Sequence, residues 1–431
     1  MFRTLVNAFK NPEIRKKILI TIGLLIIYRL GCWLPLPGIT SSWYSEQQND
    51  TFLGLLSAIT GGALANGAFL AIGISPYINA SIIVQLLTVA IPKLEEWSKQ
   101  GDDGRKKLAT VTRVMTLILA VAQATGIVVS TARGSGIASG IFGVNIPVWL
   151  VATFVAVMLI GGSMFTMWLG ERITDYGIGN GISLLIFVGI LSSAGQSLLA
   201  TIIAIPTRDT AIWELIGFLA LVIVIFGFIV FIDAAERRVP ITYAKQIKGR
   251  KQYGGQSTNI PIKINAAGVL PIIFATAIIT FPQLIASIVA PTSSFYAWWM
   301  TWLGSGTPIY FVLTGLLILF FSYFYAQIQF NPEDVARNIQ QYGGFIPGIR
   351  PGKPTAEHLG RISKRLTLFG AIFLAIIAIV PSVIFSLVLK DTTLVNAFSA
   401  TGLLIVVSVA LEFDKQLESQ LMMKQYKGFL K

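Results

Sequence analysis

Ten long apolar runs divide this chain, and nearly all of its 33 lysine and arginine residues lie in alternate gaps between them. The runs cover residues 18–36, 68–91, 108–131, 147–169, 180–205, 212–234, 266–290, 308–330, 366–389 and 394–413. The gaps after the odd-numbered runs hold only Arg133, Arg208 and Lys390. Basic residues near membrane ends stay in the cytosol, so this asymmetry predicts a topology with both termini cytoplasmic. Each run is close to the ~20 residues that cross a bilayer, which indicates a polytopic membrane protein.

The composition argues against a soluble protein with buried core helices. The chain is 54% hydrophobic and 12% charged, whereas soluble domains are about one quarter charged. Cys32 is the only cysteine, which excludes a disulfide or a cysteine-cluster metal site within the chain.

Residues 1–17 place Phe2, Leu5, Val6 and Phe9 on one helical face. This pattern is typical of an interfacial amphipathic helix on the cytoplasmic leaflet, ending near the Asn-Pro step at residues 11–12. A frayed basic tail is an equally open alternative.

Runs 2 and 7 share the pattern Gly-x-x-Pro-x-Ile, at residues 73–78 and 268–273. The two runs lie five apart, and because five is odd, two such halves would have opposite orientations in the membrane. Interruptions at corresponding positions indicate an inverted repeat with a central site. A chance match is the alternative, since Gly and Pro are common in membrane helices. The predicted organisation is an N-terminal half (18–207), a C-terminal half (208–413) and a cytoplasmic tail (414–431).

Residues 61–72 are apolar, small and rich in glycine. A helix of this length would span only ~18 Å, which is too short to cross the membrane. We expect either a re-entrant half-helix buried in protein or an extracytoplasmic lead-in to run 2.

The runs hold almost no ionisable side chains. Arg29 is the only one deep within a run, and we expect it to cap carbonyls of a neighbouring helix. Ion-coupled transporters usually keep intramembrane acids or histidines, so a secondary transporter, the main alternative, is disfavoured.

Enzyme chemistry is disfavoured as well. His358, the only histidine, lies in a predicted cytoplasmic loop, which excludes a Ser-His pair or a multi-histidine metal site in the membrane. The chain has no phosphate-binding Gly-x-x-x-x-Gly-Lys-Ser/Thr loop, and residues 177–181 (Gly-Ile-Gly-Asn-Gly) are better interpreted as a tight turn before run 5. We therefore predict no enzyme activity and no cofactor. A membrane passage that is apolar and has no ligand-binding side chains is typical of a conduit for a large substrate. The energy for transport would then come from a partner.

Two cytoplasmic gaps, 235–265 and 331–365, are long as well as basic, and the net charge is +13. Loops of this length are usually functional. Their charge predicts attraction to anionic lipid and docking of an acidic protein or of ribosomal RNA.

Several long stretches, in order, carry a family resemblance. They are Gly73-Ile74-Ser75-Pro76-Tyr77-Ile78-Asn79, Met167-Trp168-Leu169-Gly170-Glu171, Gly177-Ile178-Gly179-Asn180-Gly181, Asn265-Ala266-Ala267-Gly268-Val269-Leu270-Pro271 and Ile346-Pro347-Gly348-Ile349-Arg350-Pro351-Gly352. Over essentially its full length the chain resembles the SecY family, the channel subunits of the bacterial protein translocase. One stretch departs from the pattern: residues 399–402 read Ser-Ala-Thr-Gly, where the family usually has Gly-Gly-Thr-Ser.

The resemblance implies an all-α polytopic membrane protein with ten transmembrane helices in two inverted five-helix halves and a re-entrant plug helix. The plug falls on residues 61–72, with the plug residues Gly61, Gly62, Ala63, Leu64, Ala65, Asn66, Gly67, Ala68, Phe69 and Leu70. The pore ring falls on six isoleucines, Ile74, Ile78, Ile182, Ile186, Ile273 and Ile405. A narrow ring of this kind can block ions by dewetting.

The resemblance also implies a lateral gate between runs 2–3 and 7–8, with polar positions Asn79, Gln123 and Asn265. The implied function is a passive channel in the bacterial cell membrane, which translocates unfolded polypeptides and releases transmembrane segments into lipid. The implied partners are SecE, SecG, SecA, a translating ribosome, and unfolded preproteins with their signal peptides, but no DNA. Partner binding is expected at residues 245–258 and 340–356, through Arg250, Lys251 and Arg350.

Overall fold

A computed structural model of the chain describes residues 2–40, 57, 60–133, 136–138, 140–141, 144–204, 211–243, 246–248, 251–253, 257–265, 268–289, 293–304, 307–388 and 400–429. Most of these residues are helical. The helices are α1 (Phe2–Lys10), α2 (Pro12–Trp33), α3 (Ser75–Ala90), α4 (Pro92–Lys99), α5 (Asp102–Arg133), α6 (Val148–Tyr176), α7 (Gly181–Ala204), α8 (Ala211–Asp233), α9 (Leu270–Val289), α10 (Ser294–Leu303), α11 (Pro308–Gln329), α12 (Pro332–Gln341), α13 (Lys353–Val388) and α14 (Ala400–Phe429).

Every predicted apolar run coincides with a helix, namely α2, α3, α5, α6, α7, α8, α9, α11, α13 and α14. In the described part of the chain, 6 helices are long and apolar enough to cross a membrane, or up to 7 if the pair α3 and α4, bent by 102°, is one span. These findings confirm a helical, polytopic membrane protein.

Helix contacts repeat between the two halves. In the first half α3 packs on α5, α5 on α6, and α6 on α7, while α2 packs on both α6 and α7. In the second half α9 packs on α11, α11 on α13, and α13 on α14, while α8 packs on both α13 and α14. The five-helix units therefore have the same internal arrangement, which a chance sequence match between runs 2 and 7 does not explain.

The N-terminal segment is a helix and not a frayed tail. Asn11 ends α1 and caps α2, where its Oδ1 accepts from the Glu13 N–H at 3.2 Å. Ala8 is buried in one apolar cluster with Ile18 and with Leu417 of α14. The two ends of the chain thus pack together, and the interfacial position of α1 stays a prediction.

The two long basic gaps contain strands that the sequence analysis did not assign. These strands are β3 (Glu236–Tyr243), β4 (Gln246–Lys248), β5 (Lys251–Tyr253), β6 (Ser257–Lys263) and β7 (Gly344–Phe345), whereas β1 (Gly140–Ile141) and β2 (Val144–Asn145) pair with each other between α5 and α6. β3 lies between β6 and β7 in an antiparallel sheet, so gap 331–365 adds a strand to gap 235–265.

We call β3, β6, β7 and α12 the basic-loop unit. Its buried apolar side chains are Val239, Ile241, Ile262 and Ile339, and they form one core with Ile346, just after β7, and Leu359 of α13. The alternation of apolar residues at 239, 241, 260 and 262 was the available signal for the strands. It is short and interrupted by Pro240 and Pro261, and proline is rare in central strands.

Candidate functional site

The six predicted ring isoleucines meet in one apolar cluster at the junction of the two halves. They come from the start of α3, from α7, from α9 and from α14. Ile74, Ile186 and Ile405 are buried, whereas Ile78, Ile182 and Ile273 are partly buried. The structure therefore brings together side chains that are more than 300 positions apart in the sequence.

Two matching helix starts position this cluster. Gly73 has a φ of 58° and Gly268 a φ of 62°, in the left-handed region that favours glycine. α3 begins two residues after the first and α9 two residues after the second. The repeated pattern therefore places Ile78 and Ile273, its last residues, one turn into corresponding helices.

A third helix start aims the α7 isoleucines. The side-chain Oδ1 of Asn180 accepts from the Ile182 N–H at 3.1 Å and caps the helix. The Gly181 N–H donates to Thr174 Oγ1 at 2.9 Å, and a Cβ on Gly181 would lie 2.0 Å from the Gly170 carbonyl oxygen. Residues 177–181 are thus a tight turn between α6 and α7, as predicted.

The predicted plug segment is buried beside the ring cluster. Ala63, Ala68 and Leu70 share that cluster, and Leu64 and Ala71 belong to the adjoining one. A Cβ on Gly162 of α6 would lie 2.1 Å from the Phe69 carbonyl oxygen, so backbone and helix approach closely. A burial of this kind agrees with a re-entrant segment and not with an external lead-in.

The helical form predicted for residues 61–72 is wrong. These residues run in successive turns, and the described helical residues at 57 and 60 precede them. Gly61, Gly62 and Gly67 have positive φ values, which a right-handed helix does not accommodate. Turn hydrogen bonds within the segment and two bonds to a neighbouring stretch replace the helical pattern: the Leu36 N–H donates to the Gly67 carbonyl at 2.9 Å, and the Phe69 N–H to the Leu34 carbonyl at 2.8 Å.

The guanidinium of Arg29 lies against Gly61, at the start of the plug segment. Its Nη2 donates to Ser192 Oγ of α7, a hydroxyl and not the carbonyl that we expected. Its Nη1 is buried without a hydrogen-bond partner among the described residues. A Cβ on Gly61 would lie 2.2 Å from Nη1, so only glycine fits against the guanidinium.

The predicted gate helices are in contact, but the predicted amides do not join them. α5 packs on α9, and Ile82, Phe274 and Phe321 of α3, α9 and α11 form a buried cluster. The Phe274 ring lies edge-on to that of Phe321, with centroids 5.5 Å apart. Aromatic packing at this seam was missed, because residue type alone does not show which face a ring occupies.

Each of the three amides has its own environment. Gln123 is buried, and its Oε1 has no hydrogen-bond partner among the described residues. Asn265 donates through Nδ2 to Asp233 Oδ1 at 3.4 Å, at the end of α8. Asn79 is partly buried. Of the described hydrogen bonds, none joins two of these side chains.

An ion pair that was not predicted joins two helices of the first half. Arg113 of α5 donates to both carboxylate oxygens of Glu171 of α6, from Nε at 2.8 Å and from Nη2 at 2.9 Å. Opposite charges near the ends of runs 3 and 4, on the side predicted to be cytoplasmic, were the signal that could have indicated it.

The structure describes the three predicted partner-binding residues to different extents. Arg350 is exposed on a turn before α13, where its carbonyl accepts from Thr355 Oγ1 at 2.8 Å. Gly348 has a φ of 82°, and Ile349 N–H donates to the Ile346 carbonyl at 3.0 Å, so this stretch is the shaped turn that was predicted. Lys251 pairs with Lys248 across the β4–β5 hairpin, and Arg250 lies outside the described residues.

Within the described residues, no group of three or more His, Cys, Asp or Glu side chains is placed to hold a metal ion.

Comparisons with known proteins agree with this architecture. The protein translocase subunit SecY of Streptomyces coelicolor is 42% identical over 100% of both chains, and that of Mycobacterium tuberculosis (strain CDC 1551 / Oshkosh) is 40% identical over 100% of both. A solved structure described as "The structure of a protein conducting channel" matches with a TM-score of 0.64 and 21% identity, covering 94% of this chain and 92% of that one. Sec61 in the canine ribosome–channel complex matches with a TM-score of 0.59 and 19% identity, covering 94% and 92%.

These two structures share the fold, and the two bacterial relatives align with the chain over its full length. The family model described as SecY matches residues 68–413, which include all six ring isoleucines and every apolar run except the first. The chain therefore belongs to the SecY family.

Proposed function

We propose that this chain is the channel subunit of a protein translocase, which conducts unfolded polypeptides across the cell membrane. The observation that carries this proposal is the single apolar cluster of six isoleucines, contributed by helices of both halves and adjoined by a buried turn segment. Membership of a family of translocase subunits agrees with the prediction that the chain is not an enzyme.

The isoleucine ring and the plug segment would together form one seal that needs both parts. A narrow apolar ring resists wetting and so blocks ions. It also binds no passing side chain strongly, which a conduit for many sequences requires. Two backbone hydrogen bonds connect the plug segment to residues 34–36 and keep it in its buried position. Passage of a polypeptide would therefore require these backbone bonds to break or the segment to move as a unit.

The seam between helices α3 and α5 on one side and α9 and α11 on the other would serve as the lateral gate. It is closed by the apolar cluster of Ile82, Phe274 and Phe321, and the polar positions proposed for it are Asn79, Gln123 and Asn265. An apolar seam can exchange protein contacts for lipid contacts at little cost, because lipid tails are as apolar as leucine. This property suits release of transmembrane segments sideways into the bilayer.

The charge distribution supports a cell-membrane location with both termini in the cytosol. The proposed halves are residues 18–207 and 208–413, with an N-terminal interfacial helix (1–17) and a cytoplasmic tail (414–431). The last described helix, α14, continues through most of that tail to Phe429.

The basic-loop unit would be the cytoplasmic docking surface. It combines gaps 235–265 and 331–365 on one folded scaffold, so charges from both gaps can meet the same partner. The proposed partners are SecA or a translating ribosome here, SecE and SecG in the membrane, signal-peptide preproteins as substrate, and anionic lipid around the basic ends.

Ion conductance tests the seal. We expect a variant with Ile78, Ile182 and Ile273 changed to Gly to raise resting conductance in planar bilayers at least about tenfold, equivalent to ~1.4 kcal/mol off a barrier. A matched control changes Ile127, a buried isoleucine of another cluster, to Gly. Equal conductance in the ring variant and the unaltered channel would remove the ring assignment.

Translocation driven by SecA tests the docking surface. Arg350 is held on a shaped turn, and a guanidinium there can make a bidentate contact that lysine copies poorly. We expect Arg350→Glu to abolish translocation into vesicles and Arg350→Lys to reduce it, at a normal protein level. Lys353, three residues along, provides the control substitution Lys353→Glu. Full activity of the Arg350→Glu variant would refute the docking role.

A further inference from the structure

Helix α10 joins the two helices that would form the C-terminal side of the lateral gate. It packs against both α9 and α11. Its sequence is Ser-Phe-Tyr-Ala-Trp-Trp-Met-Thr-Trp-Leu, and no Lys, Arg, Asp or Glu occurs anywhere from residue 266 to residue 331. An uncharged, aromatic helix at the end of two membrane helices calls for an environment other than bulk water.

Successive residues of a helix are rotated by about 100°, which divides α10 into three faces. The first face, half-buried, comprises Tyr296, Trp299, Met300 and Leu303. The second, which we call the aromatic face, comprises Phe295, Trp298 and Trp302, each 51% exposed. The third, exposed and built of small residues, comprises Ser294, Ala297 and Thr301.

Phe295 of the aromatic face packs against Trp298 on the same face and against Trp299 on the half-buried face. The ring centroids of Phe295 and Trp298 lie 6.3 Å apart, and those of Phe295 and Trp299 5.8 Å apart. The Ser293 hydroxyl caps the helix by accepting from the Tyr296 N–H at 3.2 Å, so the rings are carried on a defined element. Exposed aromatic surfaces of this kind usually mark a contact with a partner or a membrane.

We propose that the aromatic face of α10 inserts into the headgroup–acyl boundary of the outer leaflet and anchors the gate helices α9 and α11 to lipid. The leaflet rests on the proposed orientation of the channel, whereas the lipid contact does not. Trp and Tyr are favoured at this boundary because their rings are apolar and their polar atoms reach water.

Two observations favour lipid over a protein partner. The exposed surface splits into an aromatic face and a small polar face, as expected for a helix lying half in lipid and half in water. The next helix, α11, likewise exposes an apolar stripe, with Ile309, Val312, Leu316 and Phe320 exposed at helical spacing. Because residues 266–331 carry no charged side chain, they offer no ion pair to a protein partner.

Depth-dependent fluorescence quenching tests the lipid contact. Single cysteines replace Trp298, Trp302 or Thr301 in the full-length chain with Cys32→Ala, assembled with the partners that purify with it, in phosphatidylcholine vesicles. Thr301 is the matched control, because it is exposed and adjacent to Trp302 but lies on the small polar face. Each cysteine carries an environment-sensitive fluorophore, and the lipids carry bromine near the headgroup end of the acyl chain.

We expect bromolipid quenching at positions 298 and 302 to be about threefold stronger than at 301, since an interfacial helix buries its apolar face ~5–10 Å deep. Equal quenching at all three positions, or crosslinking of positions 298 and 302 to a protein in place of quenching, would overturn the anchor. Because labelled variants can lose the native surroundings, Trp298→Lys and Thr301→Lys in the unlabelled chain provide a second comparison. Only the former should lower the yield of folded protein in membranes, and equal yields would also count against the anchor.

Labelling of position 301 with an impermeant reagent in intact cells separates this inference from the proposed orientation. Reaction from outside supports the outer leaflet. Reaction only after the cells are opened would overturn the leaflet assignment and the orientation together, while the quenching result decides the lipid contact by itself.

Discussion

In each half a segment connects the first and second helices. The two segments occupy the same place in the repeat but fold differently. In the first half residues 60–74 are uncharged, rich in glycine and packed into the helix bundle. In the second half residues 235–265 are basic, and the strands β3 and β6 described there pack around a separate apolar core. A repeated architecture therefore supplies a position, and composition decides whether the segment there packs inside the helix bundle or folds outside it.

The helix starts that follow these segments show the same contrast. Gly73 and Gly268 share a left-handed backbone conformation. A Cβ on Gly73 would lie 2.7 Å from the Thr60 methyl, and its carbonyl accepts from Ser163 Oγ at 3.1 Å. A Cβ on Gly268 would have no neighbour within 4 Å among the described residues. Of the two glycines, only Gly73 is closely packed by neighbouring residues.

The largest expected effect comes from placing a charge in each connecting segment. Leu64 is fully buried in the first, and Leu64→Lys would bury an ammonium without a partner, at a cost of several kcal/mol. We expect the plug segment to leave its site, which raises resting ion conductance in planar bilayers. Thr258→Lys, on the exposed strand β6, is the matched control and should leave conductance unchanged. Similar behaviour of the two variants would break the contrast.

A cavity in the basic-loop unit should have a smaller and more local effect. Ile241 is buried, and Ile241→Ala should cost about 2–5 kcal/mol of local stability. Hydrogen exchange in β3 and β6 should accelerate, while ion conductance stays unchanged because this core is separate from the ring cluster. Asn259→Ala, exposed on the same sheet, serves as the control. A leak of ions through the Ile241→Ala channel would show that the two regions are coupled.

The smallest difference is expected between the paired glycines. Gly73→Ala and Gly268→Ala both force an L-residue into a left-handed conformation, which costs roughly 1–2 kcal/mol. Gly73→Ala must also displace the Thr60 methyl, so it should lower the midpoint of thermal unfolding further. Equal midpoints would mean that the surroundings of the two helix starts are equivalent after all.

Long periodic features were predictable, because they depend on many residues at once. The positions of α5, α6 and α8, for example, follow from apolar runs that no single substitution would hide. The turn at residues 177–181 was also predictable, since its glycines and Asn180 are the residues that such a turn requires.

Short and long-range features were not predictable from pattern. Residues 61–72 were expected to be helical, because apolar composition reveals neither the local turns nor the two backbone hydrogen bonds that join this segment to Leu34 and Leu36. The bond from Asn265 to Asp233 likewise depends on the relative position of α8 and α9, which no local pattern encodes.

Hydrophobic periodicity and charge asymmetry by themselves determined that the chain is a polytopic helical protein, and the repeated Gly-x-x-Pro pattern indicated two related halves without excluding a chance match. The tertiary structure alone decided that six distant isoleucines form one cluster, that the plug segment runs in turns, and that two basic gaps share one sheet. The physical reason is one of range. Partition between water and lipid acts on each segment separately, whereas close packing and hydrogen-bond satisfaction depend on neighbours that the fold brings together.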